Sequence, residues 1–238
     1  MNNKNYVIIM AAGHGTRMGS KLPKQFMSLG GKAILQRTIM KFADACPGIR
    51  IITVLPPAGE YEKWWKDYCI RVNFSCPQII VRGGITRFHS VKAALAKVPD
   101  GAIVAIHDGV RPMLTREMIR TMFGSIDTDP DCHALIPVLP SIDTLKKLTR
   151  DSGGNLVSSG EGVDRSEIFG AQTPQIFRSE EIKAAYSQPY DTLFTDDASV
   201  AEKYKIPLTF CEGERLNFKI TSPEDMVLAE AVLGLKTR

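Results

Sequence analysis

Short apolar runs alternate with stretches of helical period along the first half of the chain. Tyr6–Ala11 is an unbroken apolar, β-branched run, the pattern of a buried strand. Between Ala33 and Cys46, the apolar residues Ile34, Leu35, Ile39 and Phe42 recur near the helical period. Ile49–Leu55 reads as the second strand, Glu60–Ile70 as a helix and Gln78–Val81 as a third strand. Arg87–Val98 is helical, with Val91, Ala94, Leu95 and Val98 on one face, and Ala102–His107 is again an apolar strand. Thr115 caps a helix that runs to about Ile126, and Ala134–Val138 follows as a strand. This alternation predicts an α/β fold: a doubly wound, mostly parallel, Rossmann-like sheet with helices on both faces. Ligands of such sheets sit at the carboxyl ends of the strands. The loop after Ala11, Asp108 and the segment after Val138 all fall at such ends.

The alternation breaks between Pro140 and Arg165. Ser141–Leu148 and Leu156–Ser158 read as two strands around the turn DSGGN, Asp151 to Asn155. A two-stranded ribbon buries little of itself, so this β-arm is expected to lean on the parent domain or on a second subunit. Beyond it come FGAQTPQIF, a helix from Ser179, a helix near Ala198–Tyr204 and a strand from Pro207 to Cys211. The last helix opens on Ser222-Pro223-Glu224-Asp225, with an N-cap serine, a proline in first position and acids in the first turn. It closes near Leu235. The expected organisation is a single domain over residues 1–238, with 140–165 as a β-arm excursion.

Composition narrows the function classes. A chain of 238 residues, 44% hydrophobic, suits one α/β domain with a full core. No run approaches the roughly 18 consecutive apolar residues of a membrane span. The opening MNNKN leads into a strand without the apolar region of a secretory signal. Five cysteines without a C-x-x-C pair read as reduced thiols of a cytoplasmic protein. Neither they nor the four histidines have metal-site spacing. The net charge of +4 forms no Lys/Arg-rich run or aromatic-interleaved patch, which disfavours nucleic acid and leaves an anionic small substrate.

The first loop carries the strongest chemistry. In AAGHGTRMGSKLPKQF, Gly13, Gly15 and Gly19 interleave with Arg17, Lys21 and Lys24. Glycines after a strand let backbone N–H groups approach an anion, and the cations neutralise it, as a nucleoside triphosphate requires. The P-loop pattern fails, because Met18 stands where the second glycine counted from Gly13 belongs, and Gly19 is followed by Ser20. The dinucleotide pattern fails because the third glycine is one place late and Lys32–Lys41 contains no acid. A dinucleotide-dependent oxidoreductase is therefore disfavoured. AAGxGxRMG with PKQ resembles the signature of sugar-phosphate nucleotidyltransferases, and the PKQF ending resembles the 2-C-methyl-D-erythritol 4-phosphate cytidylyltransferase family.

Later segments extend the resemblance. In GGITRFHSV, two glycines allow a close backbone approach and Ser90 can hydrogen-bond a base or ribose; a turn with a helix cap explains the same residues. In IHDGVRP, the Asp108 carboxylate can meet a ribose hydroxyl or a magnesium ion and Arg111 a phosphate; the other reading is an Asp–Arg pair in a turn. GGxxRxxSV, HDxxRP, and the later DT, DR, TPQ, TD and NxK pairings are similar to the family's, in order, from about Tyr6 to Leu235.

The resemblance implies CTP and a polyol phosphate as substrates, a divalent cation (Mg²⁺), and a homodimer formed through the β-arm. It implies nucleotide contacts at Ala11, Ala12, Gly13, Gly15, Gly84, Ile85, Ser90 and Asp108, with Asp108 also toward the metal. Ile85 departs from the family, which often has Asp there, so only a backbone contact would carry over. Arg17, Lys24 and Lys219 are implied as the catalytic cations at the α-phosphate. Arg111, Thr144, Arg165, Thr173 and Thr195 are implied around the sugar phosphate, Thr144 and Arg165 reaching over from a partner subunit. The VDRS and DTLK segments resemble the erythritol branch more than the sister ribitol 5-phosphate branch. A non-catalytic nucleotide-binding regulator on the same fold remains the reading of a different class; it would be expected to lack the cations that this sequence keeps.

Overall fold

The computed structural model describes residues 5–13, 22–160 and 162–236. The opening apolar run is β1 (Asn5–Met10), with Val7, Ile8 and Ile9 fully buried. A 3-10 turn at Lys24–Phe26 and a small hairpin, β2 (Ser28–Leu29) and β3 (Lys32–Ala33), lead into α1 (Ile34–Ala45). The expected alternation follows: β4 (Arg50–Leu55), α2 (Gly59–Arg71), β5 (Gln78–Arg82), α3 (Arg87–Leu95), β6 (Ile103–Asp108), α4 (Arg116–Thr128) and β7 (Ala134–Pro140). Helix α3 stops at Leu95 rather than Val98, because Lys97 and Val98 donate to Ala94 and Leu95 in tighter turns. Thr115 caps α4 as its position predicts, accepting from the Met118 N–H at 3.1 Å.

The second half departs from the pattern. The ribbon is β8 (Leu148–Arg150) paired with β9 (Leu156–Ser158), so its first strand begins at Leu148 and not at Ser141. A ladder needs a facing chain, and the facing chain turns away at Gly160, whose φ of +79° suits glycine. The Asp151 carboxylate closes the hairpin by accepting from the Gly153 and Asn155 N–H groups. Every residue of both strands is exposed. FGAQTPQIF forms two strands that periodicity does not mark: β10 (Phe169–Ala171) and β11 (Gln175–Arg178). After them come α5 (Ser179–Ala185), α6 (Asp197–Lys203), β12 (Leu208–Glu212) and α7 (Pro223–Lys236).

In the sheet, β1 lies between β4 and β6, with β5 beyond β4, all parallel. Strand β11 runs antiparallel between β6 and β7, β10 continues antiparallel along β7, and β12 runs parallel on β7. Parallel strands covered on both faces must be apolar along their whole length. Strand β6 is accordingly buried throughout, yet it ends in His107 and Asp108. One face packs Leu35, Ile39 and Phe42 of α1, Trp65 of α2 and Ile119 and Phe123 of α4. The other packs Val91 and Leu95 of α3, Ile182 of α5 and Val200 of α6. Each such side chain contributes about 1.5–3 kcal/mol. Helix α7 covers β2 through Ala229 and Val232 against Leu29 and Ile34. Its start is a reciprocal cap: Asp225 accepts from the Thr221 and Ser222 N–H groups, and Ser222 Oγ accepts from the Asp225 N–H. Among the described residues no helix is long and apolar enough to cross a membrane.

Candidate active site

The carboxyl ends of β1, β5 and β6 open into one cleft of about 580 Å³, within the usual range of small-molecule sites. It is lined by Met10–Gly13, Lys24, Gln25, Pro57, Gly84–Arg87, Ser90, Asp108, Val110 and Lys219. Backbone bonds stitch these ends together: Ala11 donates to Val54, Gly83 to Leu55 and Gly109 to Met10. The first loop is held by Gln25, whose amide donates to the carbonyls of Ala11 (2.7 Å) and Gly13 (2.9 Å). Among the described residues, a Cβ on Gly13 would meet nothing within 4 Å. Gly83 differs: a Cβ there would lie 2.6 Å from that of Ala12, so this glycine serves the contact between two loops. Ser90 also serves the loop. Its hydroxyl accepts from the Gly84 N–H and donates to the Thr86 carbonyl, leaving only a lone pair for a ligand. The Ile85 side chain is exposed at the mouth of the cleft.

Asp108 is the electrostatic centre. Its carboxylate meets Lys219 Nζ at 3.1 Å and Arg111 Nε at 3.3 Å. Burial alone would raise its pKa, but the charges of Lys219, Arg87 and Arg111 outweigh burial and hold it well below the usual carboxylate range. Arg111 also donates to the Asn217 carbonyl at 2.7 Å, and Asn217 donates to the Thr173 carbonyl at 2.8 Å. The HDxxRP, TPQ and NxK segments, far apart in the chain, therefore meet at one turn.

Two further polar groups sit behind this surface. His107 is fully buried; burial pushes its imidazole down to about 4, so it is neutral at neutral pH. Arg87, on the cleft wall, makes a two-pronged pair with the buried Asp197, which also accepts from Tyr186 Oη at 2.5 Å. The Asp197 charge outweighs the cost of burying Arg87 and keeps its guanidinium protonated. This pair ties the GGITR loop to the TDDA segment. Tyr186→Phe removes one charged hydrogen bond and is expected to cost about 2 kcal/mol in denaturant unfolding. An unchanged midpoint would mean that Arg87 alone satisfies Asp197.

Of the residues singled out from sequence, Ala11, Ala12, Gly13, Lys24, Gly84, Ile85, Ser90, Asp108 and Lys219 line this cleft. Arg111 and Thr173 join it through Asp108: Arg111 pairs with the carboxylate, and Thr173 Oγ1 accepts from the Asp108 N–H at 3.1 Å. Thr195, Thr144 and Arg165 are exposed and not among its lining residues; Arg165 donates to the Ile142 carbonyl within the arm. Arg17 and Gly15 lie outside the described residues. Gln25, Arg87 and His107 were not assigned roles from sequence. Gln25 and Arg87 do lie inside the PKQF and GGITR segments, and His107 stands beside Asp108 as a polar residue on an apolar strand.

Comparison with known proteins adds an independent finding. The family model described as IspD, 2-C-methyl-D-erythritol 4-phosphate cytidylyltransferase, matches residues 5–235. The 2-C-methyl-D-erythritol 4-phosphate cytidylyltransferase of Bacteroides thetaiotaomicron is 44% identical over 97% of this chain and 100% of its own. The crystal structure of 4-diphosphocytidyl-2C-methyl-D-erythritol synthase from Anaerococcus prevotii superposes with a TM-score of 0.75 at 26% identity, covering 98% of this chain and 100% of that one. That of the Francisella tularensis cytidylyltransferase gives 0.75 at 27% identity, covering 95% and 99%.

Proposed function

This chain belongs to the 2-C-methyl-D-erythritol 4-phosphate cytidylyltransferase family, and from that premise we propose how its cleft works. The enzyme transfers a cytidylyl group from CTP to 2-C-methyl-D-erythritol 4-phosphate and releases pyrophosphate, a step of non-mevalonate isoprenoid synthesis. The observation that carries the assignment of roles is the meeting of Lys24, Lys219, Arg87 and Asp108 around one cleft that Gly13 and Gly84 also line.

The substrate phosphate is already a nucleophile and needs no general base. An oxygen of that phosphate forms a bond to the α-phosphorus of CTP in line, as the bond to the β-phosphate breaks and its electron pair leaves with pyrophosphate. Catalysis then rests on positioning and charge neutralisation. Lys24 and Lys219, with Arg17, neutralise the charge at the α-phosphate. Backbone groups of Ala12, Gly13 and Gly15 follow the triphosphate beside Ala11, whose own N–H is taken by the Val54 carbonyl, and Gly84, Ile85 and Ser90 meet the base and ribose. Mg²⁺ takes one or two carboxylates with phosphate oxygens and water. Asp108 is ionised and, among the described lining residues, is the one carboxylate of the cleft, so the donor set fits once a triphosphate is present. Bound there, the ion would neutralise triphosphate charge.

Arg111 and Thr195 hold the acceptor phosphate beside Thr173, whose own hydroxyl is taken by Asp108 and His107, and the partner subunit's Thr144 and the partner subunit's Arg165 complete the site. Residues 140–165 act as an arm of a single catalytic domain. The exposed apolar side chains of Ile142, Leu148, Leu156 and Val157 support such an arm, since it leaves them uncovered within one chain. The five free cysteines accord with a reducing, cytoplasmic setting.

Pyrophosphate release with CTP, Mg²⁺ and each polyol phosphate tests the reading. The erythritol phosphate should exceed ribitol 5-phosphate in kcat/KM by about 10–200-fold, the reach of one apolar group in a fitted pocket. The motivation is the DTLK and VDRS segments. Equal or reversed values would overturn the preference, and release with neither acceptor would return the protein to the nucleotide-binding regulators.

A further inference from the structure

We propose that His107 is a positioning residue of this transfer, a buried two-sided clamp that sets the Asp108–Arg111 turn against Thr173. The inference rests on the transferase reading above. Along β6, Ile103, Ala105 and His107 alternate with Val104, Ile106 and Asp108. The imidazole thus lies on the sheet face opposite the Asp108 carboxylate, with its ring 5.0 Å from that of Phe42 on α1. Its strand neighbours on that face are apolar and buried, so packing alone asks for an apolar residue. The imidazole does what no apolar side chain can. Nε2 stands 3.2 Å from the Arg111 carbonyl oxygen and Nδ1 stands 3.1 Å from Thr173 Oγ1.

The partners fix the direction of these bonds. A carbonyl oxygen only accepts, so Nε2 carries the proton and donates to Arg111. In that tautomer Nδ1 has a lone pair and accepts from the Thr173 hydroxyl. The Thr173 oxygen in turn accepts from the Asp108 N–H. Donation runs from Asp108 through Thr173 and His107 to Arg111, and the Arg111 N–H closes the ring on the Asp108 carbonyl at 3.1 Å. Helix α1 supports the same turn, with Thr38 Oγ1 donating to the Gly109 carbonyl at 3.0 Å. The main chain of the turn that bears Asp108 and Arg111, and the Thr173 hydroxyl, are thereby held by one residue that does not itself line the cleft. Polar chains of this kind are cooperative, and a small loss of register at the reacting groups is expensive in rate.

His107→Phe fills the same space and removes both bonds. In the pyrophosphate assay it should lower kcat by about 10–100-fold, the usual effect of losing a hydrogen-bond partner behind a functional group, with the folded fraction unchanged. His107→Asn can keep an acceptor for Thr173 and His107→Gln a donor for Arg111, so each should recover part of the lost kcat. A His107→Phe enzyme within about twofold of wild type in kcat, or Asn and Gln variants no better than Phe, would overturn the proposal. Should His107→Phe not fold, the other two decide. Wild-type kcat in both overturns it, and a loss in both at an unchanged unfolding midpoint supports it. The unaltered enzyme, run alongside, separates this from the reading beneath it, which fails if wild-type protein releases no pyrophosphate.

Discussion

Lys219→Ala is expected to lower kcat on the order of a hundredfold or more, about 3 kcal/mol, by analogy with removing one preorganised charge-stabilising donor. The ammonium lies 3.1 Å from Asp108 at the cleft wall, and the side chain is 43% exposed, so little packing is lost with it. The main chain beside it is held independently, since the Ile220 N–H donates to the Val110 carbonyl at 3.0 Å. Asp108 is not stranded either, because Arg111 still pairs with it and Arg87 still adds its charge. The unfolding midpoint should therefore move little while turnover collapses. Lys219→Arg is not a safe substitute, because a planar fork cannot take the place of a compact ammonium at one phosphate. Steady-state kinetics with CTP titration, paired with thermal unfolding, gives the answer. A variant with near-normal kcat and only a raised KM for CTP would remove Lys219 from catalysis and leave it a binding role.

Two inactive proteins, Arg165→Ala and Lys219→Ala, should regain activity when mixed and re-associated. Arg165 lies exposed on the arm and Lys219 in the main cleft, and Arg165 is not a lining residue of its own chain's cleft. If arms are exchanged across a two-fold axis, a mixed dimer puts both lesions in one site and none in the other. Random exchange makes half the dimers mixed, so about a quarter of all sites become intact. The measurement is pyrophosphate release before and after mixing, with subunit exchange shown independently by differently labelled chains. No recovery despite proven exchange would mean that Arg165 acts within its own chain. The ribbon's composition gives the physical reason to expect exchange. A hairpin whose residues are all exposed, with Leu148 and Leu156 among them, buries little of itself and is expected to lean on a surface outside itself.

Local pattern was a good guide wherever one element answers to its own sequence. Strands β1, β4 and β6 carry unbroken or nearly unbroken apolar centres because both faces of a parallel sheet are covered, polar residues falling mostly at their ends. The caps at Thr115 and Ser222 were legible because a cap bonds to N–H groups a turn away. The place of the cleft was legible in the same sense, since the loops after β1, β5 and β6 fall at the carboxyl ends of strands, where such sheets open.

What the sequence by itself determined, then, is the α/β alternation, the loops that carry the chemistry and the family resemblance. The tertiary structure alone decided the pairings across distance. Strands β10 and β11 are short segments interrupted by Gln172-Thr173-Pro174, and they become strands only because β6 and β7 offer them free edges. The first strand of the arm is set by where its partner turns away at Gly160, not by the apolar residues near Ser141. Ser90 reads in the sequence as a ligand contact or as part of a turn with a helix cap, and only the folded chain shows its hydroxyl joining Gly84 to Thr86 with one lone pair left over. Arg87 meets Asp197 and His107 meets Thr173, pairs widely separated along the chain. Hydrophobic periodicity reports which face of an element is buried. It carries no record of which polar atom on another element will complete a buried hydrogen bond, and that choice is made only when the layers close.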